Sequence, residues 1–90
     1  MHMEIKFDLE YGKYGLPIIR AEVGTKLLAQ KHGNTFTIKG NRQGLLFLAH
    51  CLASLAKMPE SPGTEGYHIH LDDLFSLNDQ GIDFILAKED

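Results

Sequence analysis

Only one stretch of this chain reads as a long helix, and it constrains everything around it. Gly40-Asn41 opens it, with Asn41 placed to cap the free N–H groups of the first turn. Leu45, Leu48, Ala49, Leu52 and Ala56 then recur at helical spacing, and Ala53 and Leu55 widen the stripe. Pro59 removes an amide donor and Ser61-Pro62-Gly63 cannot continue the turn, so the helix is expected to end near Met58. Its apolar stripe needs a surface to cover, and the rest of the chain offers strands and turns.

Met3 to Glu10 alternates strictly, with Met3, Ile5, Phe7 and Leu9 on one face and Glu4, Lys6, Asp8 and Glu10 on the other, the pattern of a half-buried strand. Tyr11 to Gly15 reads as a turn, and Leu16 to Val23 as a second strand broken by Gly24. Lys26 to Lys31 and Thr35 to Lys39 flank His32-Gly33-Asn34, where Gly and Asn readily take positive φ, so a hairpin is expected with Phe36 and Ile38 inward. After the helix, Tyr67 to Asp72 alternates, placing Tyr67, Ile69 and Leu71 on one face and His68, His70 and Asp72 on the other. Asp73 to Gly81 reads as a loop whose Leu74, Phe75 and Leu77 fold back over a sheet edge. Ile82 to Lys88 reads as a last strand with Ile82, Phe84 and Leu86 inward. The expectation is an α+β fold: a mainly antiparallel six-stranded sheet, order β-β-β-β-α-β-β, with one helix packed on one face.

At 90 residues this is a single domain spanning 1–90, which buries only about 60 to 65% of the surface of its unfolded chain, so every element must share one core. Met1-His2-Met3 reads as an appended start ahead of Met3, and His2 is given no functional weight. The single cysteine, Cys51, can make no internal disulfide and supports no Cys-rich zinc module. No apolar run approaches the ~18 residues of a membrane span, and the charged N-terminus lacks a signal-peptide core, so a cytoplasmic protein is expected.

The net charge of −3 is unevenly spread: through Lys57 there are eight Lys/Arg against four Asp/Glu, and beyond it Lys88 stands against eight acids. That distribution opposes a nucleic-acid groove, which needs clustered cations, and suits a basic protein partner. Asp72, Asp73, Asp79 and Asp83, with His68 and His70, are the candidate contact patch. On the helix, Phe47, His50, Cys51 and Ser54 form a second stripe; if the helix covers one sheet, Phe47 and His50 face outward as further candidate contacts, and the Asp73 to Gly81 loop is the alternative cover for Phe47.

Catalytic signatures are wanting. His50 and Cys51 are adjacent helical residues pointing about 100° apart, which is no nucleophile and base. Gly40 and Gly44 lack the Gly-Lys-Ser/Thr ending of a phosphate loop, and no carboxylates form an acid/base pair. His68, Ile69 and His70 set two imidazoles roughly 6.5 to 7 Å apart along a strand, diverging, with Asp72 on the same side. A zinc site would need a converging ligand from another element, and none is identified. No enzyme, no cofactor and no metal are therefore expected.

Gly40-Asn41-Arg42-Gln43-Gly44-Leu45-Leu46, then Leu48-Ala49, Leu52 and Leu55-Ala56, then Tyr67-His68-Ile69-His70-Leu71-Asp72 together resemble the immunity protein 32 family of bacterial polymorphic toxin systems. The resemblance runs from Gly40 to Asp72, weaker into the last strand, and the Gly-Asn start combined with His-x-His-Leu-Asp is its more specific part. It implies a small protein that binds and neutralises a cognate toxin domain, and supplies no catalytic residue. The alternatives are a small metal-binding protein using His68, His70 and Asp72, with His50, and a structural subunit that self-associates through a strand edge.

Overall fold

The computed structural model describes residues 1–71 and 84–89. Its order is β1 (Glu10–Tyr11), β2 (Pro17–Ile18), β3 (Leu27–His32), β4 (Thr35–Gly40), α1 (Arg42–Ala56), β5 (His68–His70) and β6 (Ile85–Ala87). The element types follow the sequence, but the sheet does not. Among the described residues the strands pair as three separate antiparallel ladders, β1 with β2, β3 with β4 and β5 with β6, in place of one six-stranded sheet. Alternation fixes which side chains share a face of a strand but contains no instruction about which strand lies beside it.

The N-terminal region departs furthest from expectation. Met3 to Leu9 joins no ladder, and Met3 and Ile5 are exposed. Pairing begins only at Glu10, opposite Ile18, around the turn in which Gly12 N–H donates to Leu16 O at 2.8 Å and Gly15 takes φ 84°. The expected strand Leu16 to Val23 shrinks to Pro17–Ile18, and its far end enters a turn over Glu22 to Thr25, with Gly24 at φ 92° and Thr25 N–H bonded to Glu22 O at 3.1 Å. Tyr11 reaches across from this hairpin, its hydroxyl donating to Ser54 O on the helix at 2.8 Å.

The central hairpin forms as its sequence directs, in a register running from Leu27 opposite Gly40 to His32 opposite Thr35. Gly33 alone takes positive φ, at 57°, and Asn34 does not: the loop uses a glycine at its first central position. Phe36 and Ile38 share a face with buried Leu27 and Ala29, yet remain 44% and 38% exposed, a departure from the expected inward placement. Phe36 stacks on Phe84, ring centres 5.6 Å apart.

Asn41 joins this hairpin to the helix. Its Oδ1 accepts from Gly44 N at 2.8 Å and from Lys26 N at 3.1 Å, while its Nδ2 donates to Gly24 O at 2.7 Å. An amide is required, since aspartate could accept the first two bonds but not donate the third. Its own N–H continues the ladder to Lys26 O at 3.1 Å.

The helix is rotated relative to the expectation. Its buried residues are Gly44, Phe47, Cys51, Ser54 and Leu55, whereas Leu45 and Leu52, assigned to the core by the Leu/Ala stripe, are about half exposed. The two stripes differ by one residue, roughly 100° of turn. Gly44 is the cause: it lies directly against the Lys26 carbonyl, a contact no side chain permits, and once that position faces the hairpin the inward series continues through Phe47, Cys51 and Ser54. Leu27, Phe47, Cys51, Leu55, Ile69 and Leu71 form the core, with Ile19, Leu48, Tyr67, Phe84 and Leu86 packed at its margin.

Cys51 is fully buried, and burial pushes its thiol from 9.0 up to about 11, a backbone hydrogen bond opposing this more weakly. The native state therefore holds its proton longer than the unfolded state does, so stability falls as pH rises from about 9 to about 11. Relative to Cys51→Ala, the loss across that window should be ~2 to 3 kcal/mol, read from urea denaturation at stepped pH. Parallel pH profiles for the two proteins would show that the thiol ionises freely in the fold.

Candidate partner-binding face

β5 and β6 build a short two-sided ribbon whose faces the register assigns without ambiguity. Ile69 pairs with Leu86, and Leu71 N–H donates to Phe84 O at 2.9 Å, so these residues turn toward the core. His68 lies opposite Ala87 and His70 opposite Ile85, which makes the outer face imidazole, imidazole, isoleucine and alanine. Ile85 is 48% exposed and His68 is exposed, while His70 is partly buried.

The two imidazoles do not diverge as strand spacing suggests. They lean together until His68 Nε2 and His70 Nε2 stand 2.9 Å apart, their rings edge to face with centres 4.7 Å apart. His68 Nδ1 lies 3.1 Å from Gly66 O. A carbonyl only accepts, so in the neutral ring the His68 proton sits on Nδ1 and its Nε2 carries a lone pair. His70 then donates Nε2–H to that lone pair.

The other candidate contacts are placed differently. Phe47 is 6% exposed and belongs to the core, a correction that follows from the helix rotation. His50 is partly buried: Phe7 stacks on it with ring centres 5.1 Å apart, and its Nε2 is enclosed with no hydrogen-bond partner among the described residues. It borders a crevice with Arg20, Glu22, Gln43 and Phe47, away from the exposed stripe expected for it. Asp72, Asp73, Asp79 and Asp83 lie outside the described residues, as do Leu74, Phe75, Leu77 and Ile82.

Beside Met3, Ile5, Phe36 and Ile38, the exposed apolar residues that sequence reasoning missed or placed inside include Ile85, Leu45 and Leu52. Ile85 had a readable signal, because in a strand with Phe84 and Leu86 inward it is an apolar residue on the outward side. Leu45 and Leu52 had none, since their stripe is as good a core face as the real one. Among the described residues no group of three or more His, Cys, Asp or Glu is arranged to hold a metal ion, and no helix is long and apolar enough to cross a membrane.

Neither the curated proteins nor the solved structures contain a match to this chain. The family model described as Immunity protein 32 matches residues 35–89, which takes in β4, α1, β5 and β6 and therefore the whole outer face of His68, His70 and Ile85. With more than half its length matched, the chain belongs to the immunity protein 32 family.

Proposed function

We propose that this protein neutralises a cognate bacterial toxin domain in the cytoplasm by binding it one to one, without turnover. The family match over residues 35–89 carries the reading. Two further features support it. The outer face of β5 and β6 offers hydrogen-bonding rings beside an exposed Ile85, the mixture of polar and apolar groups found at protein interfaces. The acidic excess beyond Lys57 favours a basic partner, whose encounter it would accelerate through long-range attraction.

The test is co-expression with the product of the neighbouring toxin-like gene, followed by binding kinetics. A lethal partner should become harmless and co-purify in equimolar amount, with an association rate that falls as salt rises. His68→Ala and Ile85→Ala should each speed dissociation about tenfold, equivalent to ~1.4 kcal/mol, and leave the association rate nearly unchanged. Continued lethality beside this protein would end the functional reading. Unchanged dissociation in both variants would keep the function but move the interface off this ribbon.

A further inference from the structure

We propose that His68 and His70 form a two-imidazole chelate for a divalent transition-metal ion of the Cu(II) or Ni(II) type. The inference stands on the geometry of the pair and does not depend on toxin binding.

Two ring nitrogens from one strand normally point along parallel paths, and here they converge to 2.9 Å. At metal–nitrogen bonds of about 2.0 to 2.1 Å, two ligands at right angles stand about 2.9 Å apart, and two at the tetrahedral angle about 3.3 to 3.4 Å. The observed separation is that of the hydrogen bond between the rings, and it equals the spacing that two adjacent corners of a square or octahedron require, the geometry of Cu(II) and Ni(II) with nitrogen and oxygen ligands. A modest rotation of the rings turns two nitrogens that face each other into two that face a common point on the solvent side.

The support behind one ligand is already built. Imidazoles that bind metals nearly always donate their second ring N–H to a carbonyl or carboxylate, which fixes the tautomer and aims the lone pair. His68 has this arrangement through Nδ1 and Gly66 O at 3.1 Å. His70 becomes a ligand when its proton moves from Nε2 to Nδ1, a change of tautomer that needs no net charge. The ion then replaces the hydrogen bond between the rings, and the antiparallel pairing with Ala87 and Ile85 holds both backbones in place. Across the ladder, Ile85 and Ala87 carry no ligating atoms in their side chains.

The experiment uses untagged full-length protein carrying His2→Ala, because an N-terminal amine next to a histidine is itself a chelator. Calorimetric titration with CuCl2, NiCl2 and ZnCl2 should give one bound Cu(II) per chain, with Cu(II) bound more tightly than Zn(II). His68→Ala and His70→Ala should each weaken Cu(II) binding by at least ~10-fold, and the double variant should lose the site. In the protein with both histidines intact, substoichiometric Cu(II) should broaden the NMR signals of His68, His70, Ile85 and Ala87 before any others, which keeps the test valid if a variant folds poorly. Unchanged affinity in a folded double variant, or broadening centred on His32 or His50, would overturn the proposal.

Discussion

Gly44→Ala will destabilise this protein by ~3 kcal/mol or more, although the same change in most exposed helices is favourable by about 1 kcal/mol. A methyl group at position 44 would sit directly on the Lys26 carbonyl oxygen and 3.2 Å from Asn41 Oδ1. The carbonyl has no freedom to move aside, because it accepts the Asn41 N–H at 3.1 Å, and Asn41 is in turn bonded to Gly24, Lys26 and Gly44. The first turn of α1 must therefore retreat from the hairpin, which breaks the cap and draws Phe47, one turn on, out of the core. Equilibrium urea denaturation will show the loss as a lower midpoint at nearly constant slope. A variant as stable as the parent would mean that the close contact does not set the rotation of the helix.

This contact also explains what the sequence could and could not reveal. Local rules were legible: Asn41 as a cap, Pro59 as a stop, Gly33 at the hairpin turn and the inward set Tyr67, Ile69 and Leu71 all stand where short-range chemistry places them. Each depends on a few neighbouring residues whose conformational preferences are intrinsic. The burial face of α1 was not legible, because residues 44 to 56 contain two apolar stripes one residue apart, and a long-range backbone contact at Gly44 chooses between them. For the same reason the Leu/Ala stripe, taken as the buried face, turns Phe47 outward. The outer face of β5 and β6 was half legible: alternation put His68 and His70 on one side, but strand spacing gave no hint that the rings would meet at 2.9 Å. The partner to that face was likewise readable only through the family motif, since no arrangement of its side chains names a toxin.

Phe47→Ala separates a core residue from a partner contact, and it should cost ~3 to 5 kcal/mol of stability. Phe47 is 6% exposed and packs in one cluster with Leu27, Cys51, Leu55, Ile69 and Leu71. Truncation removes the apolar ring from this cluster and leaves a void that the hairpin and helix cannot close without breaking the Asn41 bonds. One edge of the site borders the crevice near Arg20, Gln43 and His50, so water can fill part of the space, which favours the lower end of the range. Since small domains have only about 5 to 15 kcal/mol in total, the variant should melt many degrees earlier. Leu52→Ala is the matched comparison: Leu52 is 50% exposed, lies on the other stripe, and should cost about 1 kcal/mol or less. Thermal melts of the two variants decide between the stripes. A stable Phe47→Ala with an unstable Leu52→Ala would restore the Leu/Ala face to the core and return Phe47 to the surface. The result expected here fixes Phe47 as the residue that holds α1 to the hairpin, and any weakening of toxin binding it causes should then disappear when binding is measured well below the melting temperature of the variant.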